Sequence, residues 1–467
     1  MLPGSVSRLL NDYSNECADT GGPTGQISLV DARQAPREQR VRACVLHDGY
    51  GRVHLIVSES GLVDLERINI ELSRELRCLP LQEQQALIAK CGWQELPVIP
   101  NLNGLPVIVD PSVYELDKLC VASDSPDKML QVDQSVFAWL MKRVRAKSLS
   151  CLVRLPQIRV NHSDPQQDSD QIKQAIQSFT TLRIQKRLED TLEMPPLPET
   201  ARRIIKLRVD PDAGVSDLAD IVETDPSLAA QLVSWARSSF YAAPGKIRSV
   251  QDAIVRVLGF ELVMNLAMGL SLGRTLNLPK DAAEGYTPYW EQAVWTATLC
   301  GALTTAMPKE KRPEYGLTYL AGLLHNYGYL VLAHVFPPHF SLVCRSVEVN
   351  RQVDPENCEH HLLGITREQI GSMLMKVWNM PEEIVTALRY QKNPFYTGEY
   401  AAYASLLFLA QQLLRQKGVS DGPVQPIPQS LWETLGLDPE TAEKVISELL
   451  AMSEEMQALA NNLQTAV

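Results

Sequence analysis

Ala321-Gly322-Leu323-Leu324-His325-Asn326 lies inside an apolar run from Leu317 to Phe336, and the reading of that run decides the class of the C-terminal two-thirds. A membrane span needs roughly twenty apolar residues with few interruptions. Here His325, Asn326 and His334 interrupt the run, which predicts a buried helix of a globular domain. Working outward, helical punctuation recurs on both sides. Asp225-Pro226 reads as an N-cap followed by proline at the first helical position, leading into Leu228, Leu232 and Trp235. Ser249 with Asp252, and Thr366 with Gln369, read as capping boxes, and Gly259 as a helix stop. Met380-Pro381-Glu382 opens another helix. A Gly/Pro-rich break, Gly418 to Gln429, separates expected helices near Ala401 to Gln416 and Pro439 to Thr465. The region is all-α.

Toward the N-terminus the period changes. Val41 to Leu46 and Arg52 to Val57 are β-prone runs around His47-Asp48-Gly49-Tyr50-Gly51, which has hairpin-turn chemistry. Asp64 to Leu79 predicts one helix with Leu65, Ile68, Leu72 and Leu76 on a face. Leu105 to Val109 and Leu116 to Ala122 predict strands, and Asp133 an N-cap for a helix to about Val144. Asn161 to Asp170 contains no apolar residue and reads as a linker.

Composition narrows the class. At 467 residues the chain is too long for one core. With 45% hydrophobic and 21% charged residues it has the balance of a soluble globular protein, and no secretory signal opens it, so a cytoplasmic location is expected. Nine scattered cysteines without a Cys-x-x-Cys pair argue for reduced, buried thiols. The net charge of −11 disfavours general nucleic-acid binding and anionic membranes.

Met194-Pro195-Pro196-Leu197-Pro198-Glu199, Asp225-Pro226-Ser227-Leu228-Ala229, Ser239-Phe240-Tyr241, Ile254 to Gly259 and Ala321 to His325 together resemble the HDOD family, a helical relative of the HD phosphohydrolases. Active HD enzymes hold divalent metal with a cluster of His and Asp, which activates water against a phosphoester. The resemblance places the central His-Asp pair at His325-Asn326, a further His at Gln292, an Asp-His pair at Thr366-Arg367 and a His pair at Tyr390-Gln391. An amide offers one neutral carbonyl oxygen, and a guanidinium repels a dication, so no bound metal and no hydrolysis are expected. His325 is expected to be a hydrogen-bonded core residue. Cys358-Glu359-His360-His361 is not expected to ligate metal, because adjacent side chains point apart.

Val41 to Leu46, Gly49-Tyr50-Gly51, Leu62-Val63-Asp64-Leu65, Gly104 to Asp110 and Leu116-Asp117-Lys118 resemble the YbaK/ProX-type aminoacyl-tRNA editing domains. Those domains use a lysine in the first strand, and the matching position is Arg42, a substitution that keeps the charge but not the compact ammonium. Leu96-Pro97-Val98-Ile99-Pro100-Asn101 replaces the expected glycine-rich loop.

The junction between the two modules is basic, with Lys142, Arg143, Arg145, Lys147, Arg154 and Arg159 free of intervening acids. Beyond it, Arg183, Arg187 and Asp190 resemble short arginine motifs that bind cyclic di-GMP, and are the candidate ligand-binding residues.

The expected fold is multidomain α+β: a mixed α/β YbaK-like deacylase-like domain at 28–145, a basic and polar linker at 146–175, an all-α HDOD domain at 176–395 and a helical C-terminal extension at 396–467. This order resembles the SadB-type surface-attachment regulators. The resemblance implies a non-catalytic signalling protein that controls biofilm formation, surface attachment and swarming motility, with protein partners, cyclic di-GMP as a possible regulatory ligand and no cofactor. A metal-dependent phosphodiesterase of the HD class and an aminoacyl-tRNA editing deacylase are the alternatives.

Overall fold

The computed structural model describes residues 4–20, 25–93, 95–99, 104–144, 146–179, 196–241 and 247–464. Two compact units emerge. The first comprises Met1–Arg159 together with Ala282–Gly285 and Ser341–Cys358, and the second comprises Val160–Asp281, Tyr286–Phe340 and Glu359–Val467. The fold class is a mixed α/β unit followed by a helical region, and the helical sequence supplies two short segments to the α/β unit.

The α/β unit is organised by a five-stranded sheet. Its strand order is Arg77–Cys78, Val41–Asp48, Gly51–Ser58, Val107–Val109, Ala146–Ser148. The first three strands are antiparallel and the last two join in parallel, giving a mixed sheet. The hairpin closes at Asp48↔Gly51 as the turn residues predict, and the Asp48 carboxylate accepts from the Tyr50 amide at 2.8 Å. Period-two alternation sorts the third strand between two cores: Val53, Leu55 and Val57 face one, and Ile56 the other. Beside it stands a three-stranded antiparallel sheet, ordered Ile27–Asp31, Lys128–Asp133, Lys118–Ala122.

Several expectations are corrected here. The helix begun at Asp64 stops at Leu72, because Ser73 turns left-handed (φ 51°), and Arg77–Cys78 becomes a strand. Asp64 does cap that helix, accepting from Arg67 N at 2.9 Å. Asp133 precedes the helix Gln134–Lys142 without capping it; its carboxylate accepts from Gln26 N instead. The stretch read as a connector contains two strands, Ala146–Ser148 and Leu152–Arg154, the latter paired with Gly61–Val63. Asp168 opens the helix Asp168–Phe179 and is buried.

Among the described residues the second unit is built from helices alone. Leu317 to Phe336 is two helices, Tyr315–Leu324 and Tyr327–Val335, broken at His325-Asn326. Asp225 accepts from Ser227 N and Leu228 N, Thr366 with Gln369 forms a full capping box, and Ser249 accepts from Asp252 N while the Asp252 carboxylate takes Arg248 N in place of the Ser249 amide. Gly259 (φ 81°) ends the Ile254–Leu258 turn. The last expected helix divides into Pro439–Leu450 and Ser453–Gln464. No helix among the described residues is long and apolar enough to cross a membrane.

Candidate functional site: a buried polar chain around Asn326

His325 and Asn326 sit at the break between two buried helices. His325 is 8% exposed, and its Nδ1 lies 2.7 Å from the Gly322 carbonyl oxygen. A carbonyl only accepts, so Nδ1 carries the proton. Burial lowers the imidazole pKa to about 4, so the ring is neutral near pH 7.

The Asn326 side chain is fixed at both ends. Its Nδ2 donates to Gln292 Oε1 at 3.1 Å, and its Oδ1 accepts from Arg367 Nη1 at 2.8 Å. Gln292 in turn donates from Nε2 to Thr287 O at 2.8 Å and to Asp421 Oδ2 at 3.2 Å. Arg367 is the first residue of the helix Arg367–Val377. Its backbone N–H donates to Glu359 Oε2 at 2.9 Å, its guanidinium pairs with the same carboxylate, and Tyr329 lies below it at 5.1 Å. Glu359 is fully buried; burial pushes its carboxyl upward while Arg367 opposes the shift. Against burial, Glu359 holds the guanidinium pKa above its ordinary value. Gly328 permits this approach, because a Cβ there would strike the Arg367 carbonyl.

The result is a chain from Asp421 through Gln292, Asn326 and Arg367 to Glu359. Asn326 thereby spends its amide oxygen on Arg367 and its amide nitrogen on Gln292. As a donor set, two amides and a guanidinium do not suit a dication, which takes anionic or imidazole ligands. Among the described residues no group of three His, Cys, Asp or Glu side chains converges to hold a metal ion.

The other expected positions divide. Gln391 joins, donating from Nε2 to His325 O at 2.8 Å and accepting from Gln411 Nε2 at 2.7 Å. Thr366 serves as the helix cap, and Tyr390 stacks on Tyr396 instead of entering the cluster. Arg42 donates from Nη2 to Asn350 Oδ1 at a long 3.4 Å, and its Nε finds no partner. Leu96, Val98 and Ile99, from the loop that replaces the glycine-rich one, are buried apolar residues. Arg183, Arg187 and Asp190 lie outside the described residues, as does Arg145. Arg143 of the basic run is engaged by Glu16 at 2.7 Å and lies over Trp139.

Sequence reasoning missed Asp421, Gln411 and the role of Glu359. It also missed Arg389, which is 5% exposed and holds Asp168 through two nitrogens while donating to Asn161 O at 2.8 Å.

Residues 194–394 match the profile of the HDOD domain, so that part of the helical region is an HDOD domain. The chain belongs to the same family as a Marinobacter aquaeolei VT8 protein of solved structure, provisionally named a signal transduction protein. The two are 47% identical with a TM-score of 0.89, over 99% of this chain and 100% of that one. A Treponema pallidum (strain Nichols) protein whose name carries no function is 25% identical over 271 residues; the match takes in 57% of this chain and about half, 51%, of that one. The α/β unit has a faint likeness to an enzyme provisionally named as trans-editing for prolyl-tRNA synthetase. At 15% identity and a TM-score of 0.24, over 30% of this chain and 96% of that one, it is too distant to speak for function.

Proposed function

We propose that the chain is a non-catalytic signalling protein, which binds a small regulatory ligand or protein partners and performs no hydrolysis. The observation that carries this reading is the Arg367–Asn326 hydrogen bond at 2.8 Å. A cation that is itself buried and paired stands where a dication would need ligands, and removing it would leave Glu359 without its counter-charge. The provisional name of the Marinobacter aquaeolei relative, a signal transduction protein, supports the same class. The resemblance to SadB-type regulators extends the proposal to surface attachment, biofilm formation and swarming motility in the cytoplasm, with cyclic di-GMP as the ligand and Arg183, Arg187 and Asp190 as its contacts.

Calorimetric titration of the full chain with cyclic di-GMP tests the ligand part. Saturable heat that disappears in an Arg183→Ala/Arg187→Ala variant is the expected result. Absence of heat with the unmodified chain would leave protein contacts as the only means of signalling.

A further inference from the structure

The helical unit holds a cavity of about 570 Å³ that shares no residue with the polar chain around Asn326. Its floor is one face of the helix Pro226–Ala236, where Ala229, Ala230 and Val233 present short apolar side chains. At the start of that face stands Glu223, the last residue of the helix Val215–Glu223. At its end stand Arg237 and, from the segment that follows, Arg248. Pro226 and Arg237 lie roughly 16 Å apart along the helix axis. The cavity is therefore an apolar strip with a carboxylate at one end and two guanidiniums at the other.

These three charges are left open by the fold. Among the described residues no cation pairs with Glu223, and no acid pairs with Arg237 or Arg248. Arg237 is nevertheless fixed in place. Its Nε and Nη2 both donate to Ile247 O, the first at 2.6 Å, which leaves the Nη1 side unused. Asp252 does not compete for the Arg248 guanidinium, since its carboxylate accepts from the Arg248 backbone N–H at 2.9 Å and faces Arg256 at 3.8 Å. Two hydroxyls also line the cavity. Ser234 Oγ accepts from Asn462 Nδ2 at 3.3 Å and Ser249 Oγ from Asp252 N at 3.0 Å, so each keeps its own O–H proton to donate.

We propose that this cavity binds a guanine nucleotide, with its phosphate on Arg237 and Arg248, its ring system over Ala229, Ala230 and Val233, and the N–H edge of the base on Glu223. Guanidiniums grip phosphate oxygens bidentately. A carboxylate only accepts, so it suits the two adjacent donors of guanine, N1–H and the exocyclic amine, and opposes the N1 lone pair of adenine. The volume falls within the roughly 300–1,000 Å³ of small-molecule sites, and a bare oxyanion would leave Glu223 and the floor unused. The inference goes beyond the signalling reading, because it uses none of Arg183, Arg187 and Asp190.

The test is calorimetric titration of the full chain with GMP, guanosine, AMP and inorganic phosphate. GMP gives saturable heat, and each of the others, lacking a contact to a charged side chain, binds about tenfold or more weaker. Arg248→Ala weakens GMP by about tenfold or more and leaves guanosine unchanged. Glu223→Gln narrows the gap between GMP and AMP. Glu223 and Arg248 are exposed, and unchanged circular dichroism and melting confirm that the variants fold. Absence of GMP binding, equal affinity for GMP and inorganic phosphate, or a GMP affinity unchanged by Arg248→Ala would overturn the proposal. So would loss of GMP binding in the Arg183→Ala/Arg187→Ala variant, which should bind GMP as the unmodified chain does. Each of these failures leaves the signalling reading standing, since that reading falls only on metal-dependent turnover.

Discussion

Arg367 donates from Nη1 to the amide oxygen of Asn326 at 2.8 Å, and through this one bond the helix Arg367–Val377 is tied to the break between two other helices. The guanidinium is answered on its other side by the buried Glu359. Arg367 therefore neutralises Glu359 and holds Asn326 in a single orientation.

Removing one partner of that pair should be far more damaging than removing both. Arg367→Ala leaves a fully buried carboxylate unpaired and is expected to cost about 3–5 kcal/mol. Replacing both partners by apolar side chains of similar volume, Arg367→Met with Glu359→Leu, should recover most of that loss. Chemical denaturation of the two variants beside the unmodified chain checks the order. A single Arg367→Ala change within 1 kcal/mol of the unmodified chain would contradict it.

Asn326→Asp restores the carboxylate of the His-Asp pair but not a metal site. The new carboxylate would take a charge-assisted bond from Arg367 and lose the Nδ2 donor that Gln292 now receives. Elemental analysis of this variant should find no stoichiometric manganese, iron or nickel.

The pH dependence of stability carries a signature of His325. Its folded pKa of about 4 lies below the ordinary 6.5, so between these values the unfolded chain binds more protons than the folded one. The stability that comes from keeping the ring neutral is fully present above about pH 6.5 and is lost as pH falls toward 4. His325→Gln should therefore flatten the acid limb of the curve by up to about 1.4 kcal/mol per pH unit within that window. An unchanged slope would mean that the imidazole is solvated.

Within the α/β unit, Asn350 acts as an extra strand neighbour. Its Oδ1 accepts from Val63 N at 2.7 Å, and its Nδ2 donates to Val63 O at 3.0 Å and to Ser346 O at 2.9 Å. Val349 beside it packs into the core with Cys44, Leu55 and Ile68. Asn350→Ala strands both backbone groups of Val63 and is expected to cost about 2–3 kcal/mol. Residues 1–159 expressed alone should lack a cooperative unfolding transition, which near-ultraviolet circular dichroism would register. A sharp transition in that fragment would show that Ser341–Cys358 is dispensable to the unit.

The local signals were legible and the long-range ones were not. Asp225-Pro226, Thr366 with Gln369 and the turn at Gly49-Tyr50 were readable because capping and tight turns depend on residues within a few positions of one another. The end of the helix at Leu72 was not, since Leu76 continues the apolar spacing and only the left-handed Ser73 breaks it. At the site, the identities of Gln292, Asn326 and Arg367 could be read, but their mutual bonding could not. Asp421 lies 129 positions from Gln292, and nothing local marks the pair. Asp168 was hidden in a stretch without apolar residues, where its partners Arg389 and Gln369 come from about two hundred positions away. Composition has no means of signalling that two segments of the helical sequence complete the α/β unit.

The most direct measurement combines metal analysis of the purified full chain with a hydrolysis assay on cyclic di-GMP, run with added manganese, iron and nickel. The account predicts substoichiometric metal and no product. One equivalent or more of bound metal together with turnover would contradict it, because Arg367 and Asn326 could not then hold the arrangement seen here.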